Sequence, residues 1–281
     1  MEAFTLLDQF PEPVRSQLAA AFDEGRTRPE WCFTEGQARL AYWAPFPGSE
    51  PVIVWQFAPG PDPVAAADLL RRSLDTMGLA KIICDLPLEP GLTPAVDRAL
   101  EHEALTLAGF AMEVERLLLE WAAGTDLPPG PSRLTYRPAR RMDRDEVLGL
   151  LVRVSEGSLD YDTQVEVATA GAESEARWMY DDLMSRKAKP DWFVIGYLDD
   201  SPVGLVAPDD RSIAYIGVVP EHRGHGYVND LLAQGTRTLA EAGVERIVAG
   251  TDVANGPTAN AFLRAGYSEV GRLFRYCWRQ S

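Results

Sequence analysis

Apolar positions along this chain recur at two spacings, every second residue or every third and fourth, in segments divided by Gly, Pro and Asp. In the later half, LTYRPAR (134–140) alternates as a strand. MDRDEVLGLLVRVSEG (142–157) has helical spacing, with Asp143 placed as N-cap and Glu146 at the capping-box position. A further helix is predicted over about 173–187, then three strands, WFVIGYL, VGLVAP and SIAYIGVV, the first two forming a hairpin through DDSP. VNDLLAQGTRTLAEAG puts Leu231, Leu232, Gly235 and Leu239 on one helical face and stops at Gly243. ERIVAGTDV reads as a strand. NGPTANAFLRAG reads as a short helix with Pro257 in its first turn and Gly266 past its end, and YSEVGRLFRYCW as the last strand.

The first half follows the later part of this order. WCFTEG and ARLAYW suggest a hairpin, and PVIVWQF a third strand. DPVAAADLLRRSLDTMG is a helix, AKIICDL a strand, LTPAVDRALEHEALTLAG another helix, and AMEVERLLLEW a strand. LAGFAMEVERLLLEW and RAGYSEVGRLFRYCW share the spacing from Gly109 to Trp121 and from Gly266 to Trp278, so the halves read as an internal duplication. The Pro- and Gly-rich stretch EWAAGTDLPPGPSRL (120–134) separates them. The expected organisation is therefore 1–125, a linker at 126–133, and 134–281. The expected class is α/β (α+β), each half a mixed, mainly antiparallel twisted sheet flanked by helices.

Composition narrows the function. With 281 residues and a net charge of −15, the chain lacks the clustered Lys and Arg that a nucleic-acid binder needs, and suits cationic partners. Three well-separated cysteines and three histidines, without a CxxC pair, offer neither a disulfide framework nor a metal site. No apolar run approaches the roughly 20 residues of a membrane span, and the first residues carry no basic segment, so a cytoplasmic protein is expected.

The chemistry concentrates in VVPEHRGHGYVNDLL (218–232), where a strand passes into a helix. Gly224 and Gly226 permit backbone conformations that let successive amides converge, and the positive end of the helix dipole adds to them. His222, Arg223 and His225 make a local cationic patch. A phosphate or pyrophosphate is the anion such a loop would hold. Neither GK[ST] nor GxGxxG is present, which removes the Walker and dinucleotide loops. The counterpart in the first half, QFAPGPDPVAAADLL, loses amide donors at Pro59, Pro61 and Pro63.

GVVPEHRGHGYV, with the helix and strand after it, Asn255 and AFLRAGY, resembles the GNAT family of acyl-CoA-dependent N-acetyltransferases over about 134–281. A degenerate copy resembles it over about 28–121, as in a tandem GNAT protein. The resemblance implies transfer of an acetyl group from acetyl-CoA to a primary amine of a small molecule or peptide, without metal, nucleic acid or membrane, and leaves a homodimer open. Its R/Q-x-x-G-x-G/A signature falls on Arg223, Gly226 and Val228, the last a departure. It implies that the loop amides, with Gly224, His225 and Tyr227, hold the CoA pyrophosphate. Val218 and Val219 match the strand that pairs with pantetheine, and Asn255 the residue that contacts its arm. The Val219 amide is the expected oxyanion donor.

The family's strand carboxylate is missing from SIAYIGVV, and Glu221 in the loop reads as a solvated charge. Glu156, with Asp160, Tyr161 and Asp162, is the acidic cluster suited to a cationic amine. The family tyrosine seven residues after Asn255 is Phe262, so solvent, or a tyrosine elsewhere such as Tyr215 or Tyr227, would supply the proton, Tyr267 falling at the family's packing aromatic. These departures keep a non-catalytic acyl-CoA binding or sensing protein as the alternative.

Overall fold

The computed structural model describes residues 6–127, 133–186 and 191–280. It forms two compact units, Met1–Glu115 with Leu273–Ser281, and Arg116–Arg272.

The first unit opens with α1 (Val14–Asp23), which the sequence pattern did not suggest because it buries only Leu18 and Ala21. Strands β1 (Cys32–Glu35), β2 (Ala38–Trp43) and β3 (Ile53–Ala58) pair antiparallel in succession. Helix α2 (Pro63–Met77) then crosses to β4 (Lys81–Leu88), which pairs parallel to β3 at Ile53↔Ile83 and Val54↔Cys84. Asp62 starts α2 by accepting from the amides of Val64 and Ala65, and Gly78 ends it in the left-handed region. The single helix expected over 92–109 is two, α3 (Pro94–Asp97) and α4 (Ala99–Leu107), broken where Arg98 leaves helical dihedrals. Tyr42, Leu70, Leu74, Ile82 and Leu105 form the core with Phe274 and Tyr276, which come from the far end of the chain. β5 (Ala111–Ala122) closes the first half.

The second unit holds an antiparallel sheet in the order β6 (Thr135–Pro138), β7 (Val194–Leu198), β8 (Ser201–Pro208) and β9 (Ile213–Val218). Between β6 and β7 lie α5 (Arg144–Ser155), α6 (Tyr161–Ala170) and α7 (Ala172–Ser185). Asp143 caps α5, but through the amide of Asp145. Helix α6 went unread in the sequence; Val165 and Val167 lower its propensity, and it depends on Asp160 accepting from the amide and hydroxyl of Thr163. After β9 come α8 (Tyr227–Glu241), β10 (Arg246–Asp252), α9 (Gly256–Arg264) and β11 (Ser268–Arg279).

Glycines let helices approach the sheet from both faces. A Cβ on Gly217 would lie 2.2 Å from Val154 of α5, and one on Gly204 would lie 3.0 Å from Leu231 of α8. Tyr215, Gly217 and Val219 therefore face α5–α7, while Ile216 and Val218 face α8.

Two strands complete the opposite half of the chain. From Arg116 onward β5 pairs antiparallel with β10, placing Trp121 opposite Ile247, and the end of β11 lies beside β4. The repeat that marks the duplication is thus satisfied crosswise. Gly109, at φ 91°, lies against the Trp278 ring, and Gly266, at φ 88°, against that of Trp121. The expected cut at 126–133 follows composition, and 128–132 lie outside the described residues. The compact units follow strand pairing instead, and periodicity identifies a strand without naming its partner.

Candidate active site

Strands β9 and β10 touch through one parallel bridge, Ser212↔Val248, and then part. The cavity they open measures about 380 Å³ and is lined by Ile213–Val218 on one side, Gly250 and Thr251 on the other, and the loop at 222–228. Asn255, Pro257, Thr258 and Phe262 line it from α9, and Val154, Leu159, Asp160 and Thr163 from the α5–α6 side. Of the residues singled out in the sequence, Val218, Arg223, Gly224, Gly226, Tyr227, Val228, Asn255, Phe262 and Tyr215 all line this cavity.

The register decides which strand amides face it. The Val219 amide donates to the Val203 carbonyl at 3.0 Å, and Gly204 lies opposite Val218. In an antiparallel ladder such pairs alternate, so Val219 and Gly217 turn their backbone groups toward β8, while Val218 and Ile216 turn theirs to the open edge. The Val219 amide is committed, and the side chain is fully buried. The Val219 amide is therefore not free to be the oxyanion donor expected of it, because the expectation took no account of which edge of β9 is paired; the amide turned to the open edge is that of Val218.

The loop leaves the first amides of α8 without a side-chain cap among the described residues. Gly224 and Gly226 adopt φ 79° and 78°. A Cβ on Gly226 would also press within 3.3 Å of the Asn229 amide nitrogen. Asp230, the acid of that first turn, is neutralised by Arg133. Arg133 also donates to the His225 carbonyl and lies 4.6 Å over the Tyr227 ring, against which His222 and His225 pack. The corresponding helix start in the first unit is occupied by the Asp62 carboxylate. One half caps itself with an internal anion; the other leaves the position open.

Arg223 lines the cavity and also bonds within the protein. Its Nε donates to Val218 O (3.0 Å), one terminal nitrogen to Gly157 O (3.2 Å) and the other to Val154 O (2.9 Å). Three of its five N–H donors are on carbonyls, tying the loop to the end of β9 and to the last turn of α5. Asn255 caps α9 by accepting from the Thr258 amide. Phe262 is buried against the Tyr267 ring, whose hydroxyl bonds Thr236, so Tyr267 belongs to the core.

The acidic cluster is rearranged. Glu156 is exposed just past α5 and does not reach the cavity, and Tyr161 donates its amide to Asp252 while Asp162 pairs with Arg116. Asp160 does line the cavity. The carboxylate that sequence reasoning missed is Glu175, on the first turn of α7 and 4% exposed. Its burial, with Asp160 and Glu166 nearby, pushes its pKa up to about 7. Burial also raises the Tyr215 hydroxyl far above its ordinary value, helped by Glu175 and Asp160 and opposed by Arg223. Helical spacing was the available signal, because Glu175 falls on the stripe of Ala176, Met179 and Leu183 that turns toward the core.

Residues 161–267, from the start of α6 to the end of the turn after α9, match the Acetyltransferase (GNAT) family. Over that stretch, less than half of the chain, the protein is similar to a GNAT domain. Solved structures agree with the fold across both halves. A GCN5-related N-acetyltransferase from Sphaerobacter thermophilus is similar with a TM-score of 0.57 at 15% identity, over 86% of this chain and 76% of that one. A GCN5-related N-acetyltransferase from Kribbella flavida has a TM-score of 0.55 at 16% identity, over 96% and 98%. A tandem GNAT protein from the clavulanic acid biosynthesis pathway has a TM-score of 0.53 at 15% identity, over 88% and 81%. No curated protein matches the chain in sequence. The matched stretch contains β9, the glycine loop, β10 and Asn255, and the family's activity is acyl transfer from acyl-CoA.

Among the described residues, no helix is long and apolar enough to cross a membrane, and no cluster of His, Cys, Asp and Glu is arranged to hold a metal ion.

Proposed function

We propose that this GNAT-like domain transfers an acetyl group from acetyl-CoA to a primary amine of a small molecule or peptide. The observation that carries this reading is the uncapped start of α8, opening on the cavity where β9 and β10 part. The amides after Gly226 would hold the pyrophosphate, and the open edge of β9 at Ile216 and Val218 would pair with the extended pantetheine as an added strand. Acetyl-CoA supplies the thioester. Around its carbonyl the Val218 amide provides the donor for developing negative charge, held in place because Arg223 fixes the Val218 carbonyl. Arg223 keeps the loop in register with α5, and Phe262 and Val228 form apolar wall.

The first unit is assigned a structural role. Its helix start already carries Asp62, and Pro61 and Pro63 remove amides on either side. The second reading, an acyl-CoA sensor without turnover, is favoured by Phe262 in place of an acid and by the absence of a carboxylate on β9.

Calorimetry with acetyl-CoA, followed by thiol release against a panel of small amines, amino acids and peptides, tests both. Binding with amine-dependent release is expected. Binding without release from any acceptor would favour the sensor, and no binding would overturn the placement of CoA.

A further inference from the structure

One wall of the cavity has no part in the scheme above. With the amides after Gly226 and the open edge of β9 given to acetyl-CoA, the turn between α5 and α6 remains, and Gly157, Ser158, Leu159 and Asp160 all line the cavity from it. That turn is tied at both ends. At its start the Gly157 carbonyl accepts from Arg223, whose Nε holds the Val218 carbonyl at the end of β9. At its end the Tyr161 amide donates to Asp252 Oδ2 at 2.7 Å, on the last residue of β10. The turn is therefore a strap fastened to the ends of the two strands that part. Asp252 is 3% exposed, and its other oxygen accepts at 2.7 Å from Nε of Arg116, the residue opposite it in the β5–β10 ladder. A terminal nitrogen of Arg116 reaches Asp162 in the first turn of α6 at 2.8 Å. Pairing β5 with β10 needs no buried charge, and an apolar pair would serve that purpose. What an apolar pair could not do is accept the first amide of α6, one of the donors that a helix start leaves open. The strap also presents a charge. Asp160 is the only carboxylate among the described residues lining the cavity; its Oδ1 accepts from the amide and hydroxyl of Thr163, and among the described residues nothing donates to Oδ2.

Resting on the transferase reading, we propose that the strap Gly157–Asp160 is the acceptor-binding wall of the cavity, where Asp160 receives a positively charged acceptor, and that Asp252, held by Arg116, positions this wall. Asp252 does not itself line the cavity and acts through the Tyr161 amide, so it is a positioning residue. An amine of pKa near 10.4 is almost wholly protonated at neutral pH, and a carboxylate with a free oxygen complements that form. Arg116 stands on β5, so the strand that closes the first half of the chain bears on acceptor binding without touching the acceptor.

Tyr161→Pro isolates the bond to Asp252. Tyr161 is the first residue of α6, where proline is favoured, and Asp160 before it is extended at φ −80° and ψ 125°, as suits a residue preceding proline. The variant loses the N–H given to Asp252 and leaves the pair of Asp252 with Arg116 in place. Tyr161→Ala, which keeps the N–H and loses the same ring, is its reference. Steady-state kinetics with an amine that wild type acetylates should give an acceptor KM roughly 10-fold higher for the Pro variant than for the Ala variant. Their kcat, and their acetyl-CoA affinity in calorimetry, should be equal, a split that general loosening of the fold would not produce. Asp160→Asn tests the wall itself. Asn caps a helix as well as Asp, so this variant keeps the start of α6 and removes only the charge. Its acceptor KM should rise by a similar factor, and the rise should shrink as salt is added. Equal acceptor KM in the Pro and Ala variants overturns the positioning role, as does a difference confined to acetyl-CoA affinity. An unchanged acceptor KM in Asp160→Asn overturns the wall. In each of these results wild type still binds acetyl-CoA and releases thiol. Loss of either in wild type is instead failure of the transferase reading, and takes the proposal with it.

Discussion

Replacing Glu175 by Gln should change how stability depends on pH in a direction opposite to most carboxylates. The group's pKa rises from 4.5 in the unfolded chain to about 7 in the fold, so between these values the folded state binds the proton and the unfolded state does not. Stability contributed by the protonated form is present in full below pH 4.5 and is lost as pH rises toward 7, because ionising the carboxyl in place costs what burial imposes. At about 1.4 kcal/mol per pH unit, the limit is about 3 kcal/mol. Asp160 and Glu166 share the slope, since they help raise it. The assay is urea denaturation of wild type and Glu175→Gln from pH 4.5 to 8. Taking the difference between the two curves cancels the other titrations and leaves any fixed cost of burying the Gln amide as an offset. Wild type should lose ground steadily to the variant as pH rises. Parallel curves would refute the reasoning, because they would mean that Glu175 ionises in the fold as easily as in the unfolded chain.

Arg223→Ala removes three bonds to carbonyls from an exposed side chain and should cost about 1–2 kcal/mol in denaturation; acetyl-CoA affinity should fall by a factor insensitive to salt. A factor that collapses as salt rises would instead indicate direct phosphate contact. Gly217→Ala would set a Cβ 2.2 Å from Val154, and the shift of α5 should cost roughly 1–3 kcal/mol in the same assay; an unchanged midpoint would contradict the packing of α5 on β9. Asp62→Ala should lower stability by about 1 kcal/mol without creating a second acetyl-CoA site in calorimetry, because the flanking prolines remain. Phe262→Tyr places a hydroxyl on a cavity wall that has none there, and turnover with a proven acceptor should rise; an unchanged rate would assign the acid to another group, with Tyr215 the first to test.

Most elements were readable because they are amphipathic and punctuated. The α8 stripe of Leu231, Leu232 and Leu239 and the stop at Gly243 were plain, and so was the glycine loop, whose glycines do adopt the left-handed conformation. What escaped depends on distance. Which amides of β9 are free follows from pairing with β8, and no local pattern contains that register. Arg223 sits in a family motif, yet its partners Val154 and Gly157 lie far back in the chain. Glu175 was hidden in a first turn rich in acids, where a carboxylate next to the helix dipole is ordinary and its burial is set by the packing of α7 on α5 and α6. α6 was missed because β-branched residues weaken its helical signal.

The exchanged final strand also bears on how the molecule is made. Phe274 and Tyr276, core residues of the first unit, leave the ribosome long after the rest of that unit, so a nascent first half cannot finish folding when its own sequence has emerged. At roughly 5–20 residues per second it waits many seconds for the rest of the chain. During that time the flank of β4 reserved for β11 stands open to a wrong strand, including one from a neighbouring nascent copy. Long-range closure of this kind slows folding. It also means that truncation after 125 would deprive the first unit of its terminal strand, and that the first half cannot be shed without unravelling the sheet to which β11 returns.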